Sequence, residues 1–241
     1  MNLDEISAGV VKNHRDEPVL LESILKKSQE FGLKEDSKFI DVAGGLGFPF
    51  FDLEARGLDV IYSDGSEYAF KKVVQRAIKP QNCYNILWNN LRDKFRNKRF
   101  DYILCIGQSL PYCLSWNNLD EKSASRYLVK VFRNFARMAQ IGGILHIDYA
   151  PQPTDKYILK DNNDLIRVED KSILVRTLVQ AKDNKRILQF NSLEDTEQIQ
   201  KEGFNITREF LIRIARRNGF NLICEEKLRG DIFNSLFFRK I

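Results

Sequence analysis

Two aspartates, Asp41 and Asp64, and the glycines between them could do chemistry in this chain. The segment 39–48 reads FIDVAGGLGF, and Asp64 follows Asp41 by 23 positions within the segment YSDGS. Glycines after a strand let the backbone approach a ligand closely, and an acid at the tip of the next strand can accept hydrogen bonds from a ribose diol. The pattern therefore predicts a binding site for a nucleoside-bearing cofactor.

A dinucleotide is not the favoured cofactor. Dinucleotide-binding turns need a third glycine where helix and strand touch, and Phe50 stands at that position. The sequence also lacks a second nucleotide-binding half. A dinucleotide-dependent oxidoreductase is therefore disfavoured.

Alternating strands and helices must position the glycine turn. The periodicity predicts strands at 38–43, 59–63, 83–87, 100–106 and 144–149, and helices at 17–31, 49–56, 66–78, 120–140 and 207–218. Pro49 is expected in the first turn of its helix, Gly142 and Gly143 before the fifth strand, and Thr207 as an N-cap. The segments 220–228 and 232–238 are predicted to close the sheet as a hairpin. The expected fold class is α/β, with a doubly wound, mainly parallel, Rossmann-like sheet of seven strands.

Between residues 157 and 200 the pattern changes to short alternating runs. These runs cover 165–168, 173–179 and 186–190, with Asp183-Asn184 as a hairpin turn. We expect one domain over 1–241, with 157–200 as a small inserted antiparallel β patch that forms a lid or substrate subdomain.

Composition limits the other functions. The 241 residues are 43% hydrophobic with a net charge of +5, and the densest basic runs, 92–99 and 213–217, are interpreted as solvated surfaces. Nucleic acid is therefore not expected as a partner. Four cysteines without a CxxC pair and two histidines predict no metal site. The absence of a signal peptide or a long apolar run predicts a cytoplasmic protein without a membrane span, and the oligomeric state stays open.

The combination of the segment DVAGGLG, Asp64 and the closing hairpin resembles class I methyltransferases that use S-adenosylmethionine. The segments FDYILCIGQSL at 100–110 and IGGILHID at 141–148 are more narrowly similar to glycine N-methyltransferases and related small-amine N-methyltransferases. The resemblance implies S-adenosyl-L-methionine as cofactor and S-adenosyl-L-homocysteine as product.

The resemblance also implies roles for individual residues. Arg15 would meet the methionyl carboxylate, and Asp41 would hold the glycine turn. The remaining residues implied to line the cofactor are Ala43, Gly44, Gly45 and Gly47 at the turn, Asp64, Gly65 and Ser66 at the ribose, Trp88, Asn89 and Asn90 at the adenine, and Ile106 and Gly107 under the sulfonium.

The acceptor is expected to be a small amine-bearing or guanidine-bearing metabolite. The family that methylates glycine has a carboxylate-binding arginine after the fifth strand, where this chain reads DYAPQ, so glycine itself is not expected. Methyl transfer from a sulfonium to an amine needs orientation more than acid–base catalysis. The predicted orienting groups are Gln108, Tyr112, Trp116, Asp148 and Tyr149, whereas His146 is predicted to be structural.

Three alternatives stay open. A nucleic-acid amino-methyltransferase would carry an acid or amide beside two prolines after the fourth strand, where this chain has Gln108-Ser-Leu-Pro-Tyr112. An O-methyltransferase would use a histidine base or a metal, and neither His14 nor His146 is well placed. A methyltransferase-like subunit without activity would not need the intact glycine turn.

Overall fold

A seven-stranded sheet forms the centre of the molecule. The computed structural model of the chain describes residues 15–107, 109–113, 121–149, 164–168, 171–180, 185–192, 198–204 and 206–241. The strands of this sheet are β1 (Lys38–Asp41), β2 (Asp59–Asp64), β3 (Cys83–Asn85), β4 (Phe100–Cys105), β5 (Ala139–Tyr149), β10 (Phe220–Glu226) and β11 (Asn234–Lys240). Their order is β10-β11-β5-β4-β1-β2-β3, parallel except for β11, which is antiparallel to both β10 and β5. The predicted doubly wound fold with a closing hairpin is confirmed.

Helices cover both faces of this sheet. They are α1 (Glu17–Glu30), α2 (Phe50–Ala55), α3 (Glu67–Val74), α4 (Leu91–Lys94), α5 (Glu121–Met138) and α6 (Arg208–Arg217). One core cluster joins the sheet to α1, α2 and α3, and a second joins it to α4, α5 and α6. Because both faces of the parallel strands are covered, β4 is a nearly continuous apolar run, FDYILC.

A second, separate sheet is inserted between β5 and α6. Its strands are β6 (Asp164–Val168), β7 (Lys171–Gln180), β8 (Lys185–Ser192) and β9 (Gln198–Phe204), all antiparallel and in chain order. The predicted antiparallel patch is confirmed, but the sequence interpretation missed β9. The run Lys201-Glu-Gly203 in that strand breaks the apolar alternation that marks a strand. The predicted turn at Asp183-Asn184 lies outside the described residues.

Three local predictions need correction. Gly142 and Gly143 do not precede β5 but lie within it, where the ladder with β4 is irregular. A Cβ on Gly143 would stand 3.0 Å from the Phe100 carbonyl oxygen, so the close approach of two backbones explains this glycine. The helix predicted over 66–78 ends at Val74, and Pro49 is the N-cap of α2 and not part of its first turn. The predicted N-cap at Thr207 is confirmed, since its hydroxyl accepts the Phe210 N–H at 3.0 Å.

His146 belongs to the core of the sheet. It is buried on β5, within hydrogen-bond distance of the Tyr102 hydroxyl at 3.2 Å and of the Ser235 hydroxyl at 2.9 Å, and it stacks on Phe237. Burial lowers the pKa of this imidazole to about 3, so the ring is neutral at physiological pH. These contacts agree with the structural role that the sequence predicted.

The buried imidazole predicts a specific acid sensitivity. An unfolded histidine binds a proton below pH 6.5, whereas folded His146 does so only near pH 3, so stability falls as the pH drops between these values. We expect the free energy of unfolding to fall by about 2 kcal/mol more between pH 7.5 and pH 5 in the wild type than in His146→Gln. Urea denaturation at both pH values measures this difference. Identical pH dependence in the two proteins would contradict the assignment.

Candidate functional site

The glycine turn after β1 is fastened to the tip of β2. The Gly45 N–H donates to the Asp64 carboxylate at 2.9 Å, and the Tyr62 hydroxyl donates to the Gly45 carbonyl at 2.8 Å. The Gly44 N–H donates to the Ser63 carbonyl at 3.2 Å. β1 and β2 are parallel neighbours, so their carboxyl ends share one edge of the sheet. The turn and Asp64 therefore form one rigid unit at the edge where ligands bind in open α/β sheets.

The glycines of this turn are under different steric constraints. A Cβ on Gly44 would overlap the Tyr62 ring at 2.4 Å, and one on Gly47 would overlap the Phe51 ring at 2.2 Å. Gly45 has a φ of +48°, and a Cβ there would meet nothing within 4 Å. Gly44 and Gly47 are thus needed for packing, whereas Gly45 faces open space in which a ligand could lie.

Asp64 is oriented by two loops at once. One of its oxygens accepts the Gly45 N–H, and the other accepts the Ser66 N–H at 2.8 Å. Ser66 in turn caps α3, because its hydroxyl accepts the Ala69 N–H at 3.2 Å. Leu87 packs so closely on Gly65 that a Cβ on this glycine would lie 2.8 Å from the leucine side chain. A carboxylate oxygen carries two lone pairs, so a ligand hydroxyl can donate to an oxygen that also accepts a backbone N–H.

Asp41 lies fully buried beneath the turn. Its Oδ1 accepts the Ala43 N–H at 3.1 Å, whereas its Oδ2 has no hydrogen-bond partner among the described residues. Burial raises the pKa of this carboxyl to about 8, and the negative charge of Asp64 acts in the same direction. At neutral pH the unliganded protein therefore keeps Asp41 mostly protonated.

The segment after β3 lies beside the turn. The Trp88 indole is buried and its N–H donates to the Val42 carbonyl at 2.5 Å, just before the glycine turn. Asn134 of α5 donates to the carbonyl groups of Trp88 and Asn89. Asn89 is half-buried and Asn90 is exposed. The indole thus supports the turn from within the core, and the predicted contact of this segment with adenine stays a prediction.

A buried ion cluster stands at the ends of β4 and β5. The Arg15 guanidinium donates to Asp148 at 2.6 Å and to Asp231 at 2.9 Å, and all three side chains are almost fully buried. The Gly107 N–H also donates to Asp148, at 2.6 Å. Gly107 follows the buried Ile106 and has a φ of +90°, which favours glycine. In these contacts Asp148 fixes the loop after β4; its predicted role in orienting the acceptor stays a prediction.

Tyr149 points to the opposite face of the sheet from Asp148, as neighbours on a strand must. Its hydroxyl donates to Glu225 of β10 and accepts from Asn234 at 3.4 Å. Arg208, the first residue of α6, donates to the same Glu225 carboxylate at 2.6 Å. Tyr149 precedes the inserted segment and Arg208 follows it. The Glu225 carboxylate therefore binds a residue at each end of this segment.

Several predicted site residues cannot be placed. Gln108, Trp116 and His14 lie outside the described residues, and for Tyr112 only its place at the end of the short 3-10 helix Leu110–Tyr112 is described. Within the described ranges, no cluster of His, Cys, Asp and Glu could hold a metal ion, and no helix combines the length and apolarity of a membrane span.

Sequence patterns alone missed two contributors to this site. Asp231 lies in the loop between β10 and β11, 216 positions from Arg15, and Glu225 meets Tyr149 across 76 positions. Neither acid stands in a local motif. Only the antiparallel return of β10 and β11 beside β5 brings them to this edge, so no pattern in their neighbourhood could indicate them.

Comparison with known proteins relates this architecture to a known fold. No family model and no curated protein matches the sequence. A solved S-adenosylmethionine-dependent methyltransferase from Clostridium acetobutylicum superposes with a TM-score of 0.74 over 98% of this chain and 96% of its own, at 15% identity. The chain has a class I methyltransferase fold.

Two further solved structures share this fold. The sugar N-methyltransferase KedS8 from Streptoalloteichus gives a TM-score of 0.69 at 14% identity, covering 93% of this chain and 88% of its own. The amino pentose methyltransferase CalS10 from Micromonospora echinaspora, solved with bound S-adenosylmethionine, gives 0.59 at 13% identity, covering 91% and 90%. Each of these matches covers more than nine tenths of this chain.

Gly45 provides a test of the open space in the turn. Alanine at this positive φ costs about 1–2 kcal/mol of stability, and its methyl group would also project into the ligand space. We expect Gly45→Ala to weaken binding of S-adenosylhomocysteine at least 10-fold in calorimetry.

Gly57→Ala is the matched control, because Gly57 also has a positive φ (+81°) and an open Cβ position but lies at the end of α2. It should lose similar stability and keep its affinity. Equal affinities for the two variants would show that the ligand does not occupy the space at Gly45.

Proposed function

We propose that this chain is an S-adenosylmethionine-dependent N-methyltransferase that acts on the amine of a small metabolite. The observation that carries the proposal is the Asp64 carboxylate, held by the Gly45 and Ser66 N–H groups beside an open glycine turn. A preoriented acid at this place suits the two hydroxyls of a ribose. The methyltransferase fold makes S-adenosylmethionine the nucleoside-bearing ligand that fits best.

The residues around the turn fit the other parts of this cofactor. Gly45 leaves room for the ligand against the backbone, and the buried Oδ2 of Asp41, which has no hydrogen-bond partner among the described residues, lies beneath Gly44. An ammonium group such as the one on the methionyl part would stabilise the charged form of Asp41. We propose that Ala43, Gly44 and Gly45 line the methionyl part.

Arg15 takes a different position in this proposal from the one implied by the family resemblance. Asp148 and Asp231 already balance its charge, and the cluster fixes the Gly107 N–H. We propose that Arg15 acts mainly by holding the loop after β4 under the reacting methyl group. The contact with the methionyl carboxylate that the resemblance implies stays a prediction for the third guanidinium nitrogen, which lies 3.9 Å from a Cβ position on Gly107.

S-adenosylmethionine supplies a methyl group on a positively charged sulfur. The site then has to present an unprotonated amine in line with the S–C bond, so that the C–N bond forms as the S–C bond breaks. The product thioether leaves without charge, and the new ammonium gives its extra proton to water. Orientation of this kind can contribute up to about 7–11 kcal/mol, so the enzyme does not need a strong base.

The acceptor is proposed to carry an amine without a neighbouring carboxylate. After Asp148 the sequence continues YAPQ, with no arginine to bind a carboxylate bidentately. KedS8 and CalS10, which share the fold, are named as methyltransferases of a sugar nitrogen and of an amino pentose. Amino sugars are therefore the first acceptors to test. The inserted sheet β6–β9, which follows β5, is proposed to cover them.

Cofactor binding is tested first, without reference to an acceptor. We expect the wild type to bind S-adenosylhomocysteine in calorimetry and Asp64→Asn to bind it 10- to 100-fold more weakly, because about 1–3 kcal/mol of ribose hydrogen bonding is lost. Asp59→Asn, an exposed change at the other end of β2, is the control and should bind normally. A wild type that binds no S-adenosylhomocysteine would refute the proposal.

The acceptor class is tested with matched pairs of compounds. Amino sugars, simple amines and guanidines are compared with analogues that carry a hydroxyl in place of the nitrogen, and release of S-adenosylhomocysteine is measured. We expect turnover with an amine but not with its hydroxyl analogue, and a rate that rises with pH as the amine loses its proton. Turnover of the hydroxyl compounds alone would replace N-methylation by O-methylation.

A further inference from the structure

The helices on the two faces of the sheet differ in charge. The segments 91–99, 121–138 and 208–217, which include α4, α5 and α6, together contain 14 Lys and Arg but only 3 Asp and Glu. The helices of the opposite face, α1, α2 and α3, contain 4 Lys and Arg and 6 Asp and Glu. Since the net charge of the whole chain is +5, the rest of the molecule is acidic overall. The fold thus brings together, on one side of the sheet, three basic segments that lie far apart in the sequence and contain 14 of the 38 Lys and Arg residues.

The positive charges on α5 form a single stripe. The described side chains of this helix that are exposed are Arg126, Lys130, Arg133 and Arg137, and all four are cationic. Their spacing of four, three and four residues places them along one side of the helix. Eleven residues at 1.5 Å each span about 16 Å. A strand of B-form DNA places about five phosphates over that length.

The stripe continues onto the neighbouring segments. α5 contacts both α4 and α6, and the apolar sides of all three helices share one core cluster. The exposed cations that flank α5 are Arg92, Lys94, Arg96, Lys98 and Arg99 on one side and Arg213, Arg216 and Arg217 on the other. We call these eight residues and the four of the α5 stripe the cationic layer.

The described residues do not neutralise the cationic layer. Within the described residues, none of its twelve side chains is in an ion pair with a carboxylate. On the opposite face three cations are in ion pairs, namely Lys27–Glu30, Arg56–Glu22 and Lys71–Glu67. The three segments therefore carry a large excess of positive charge, which attracts a polyanion.

The side chains of the layer favour a phosphate backbone over other anions. Most are arginines, whose planar guanidinium matches the oxygens of a phosphate. Protein interfaces and membrane-surface helices depend on exposed apolar anchors. The large apolar side chains exposed in the described residues are Ile78, Leu87, Ile141, Ile223, Ile232 and Ile241, and none lies in the three basic segments.

We propose that the cationic layer is a docking surface for the phosphate backbone of nucleic acid. Contacts to phosphates alone would not depend on base sequence. None of the twelve residues of the layer belongs to the glycine turn or to the loop of Asp64, so docking does not by itself make a base the methyl acceptor. The proposal is independent of the proposed methyl transfer.

Fluorescence anisotropy with labelled 20-nucleotide RNA and DNA tests the proposal between 50 and 300 mM NaCl. We expect the logarithm of the wild-type association constant to fall linearly with the logarithm of the salt concentration. In the triple variant Arg126→Gln/Arg133→Gln/Arg137→Gln, affinity at 100 mM NaCl should fall at least 10-fold, and the salt slope should decrease by about 2.

The control variant Lys71→Gln/Lys72→Gln/Arg76→Gln removes the same charge from exposed positions on and just after α3. It should bind within about twofold of the wild type, with melting temperatures confirming that both variants fold. Absence of binding at 50 mM NaCl would overturn the proposal. So would equal losses in the two variants, because net charge and not the layer would then explain the attraction. Binding to phosphatidylserine vesicles but not to RNA or DNA would assign a membrane surface instead.

Discussion

The burial of β1 on both faces is the constraint from which most of the molecule follows. Phe39, Ile40 and Asp41 are almost completely inaccessible, so the strand needs helices above and below it as well as strands on both sides. Crossover helices supply that cover and make β1 parallel to β2 and β4. The chain first winds from β1 to β2 and β3, and then returns to place β4 on the other side of β1. The glycine turn lies at this reversal, where neighbouring loops separate and leave a crevice.

The parts of this arrangement that depend on local pattern could be predicted from sequence. Apolar periodicity gave the strands and helices of the main sheet, and the glycine turn and Asp64 indicated the site, because each feature lies within a few adjacent residues. The prediction that Gly143 precedes β5 is wrong, since only the neighbouring strand shows that two backbones meet at this residue. The cluster of Arg15, Asp148 and Asp231 joins residues from three distant segments. Its pairing depends on tertiary structure, which local spacing does not encode.

Buried charge gives the site its electrostatic character. Arg15 is flanked by two carboxylates, and Asp41 and Asp64 lie nearby, so carboxyl groups outnumber the cation in this part of the interior. Protonation of Asp41 relieves part of the excess. A site of this kind is suited to a ligand that carries positive charge, which can replace that proton. By contrast, the face covered by α4, α5 and α6 is strongly positive. Negative charge therefore concentrates at the edge of the sheet with the glycine turn, and positive charge on this helical face.

Glu225 has a consequence for how such proteins can diversify. This one carboxylate receives Tyr149 from the strand that enters the inserted segment and Arg208 from the helix that leaves it. Both ends of the inserted segment are thereby anchored to β10, independently of the residues between them. An exchange of the intervening segment would leave the sheet, the glycine turn and Asp64 unaltered. The inserted segment can thus be exchanged, in evolution or by grafting, without rebuilding the rest of the domain. With the proposed role of this segment as a cover for the acceptor, such an exchange would change acceptor selectivity.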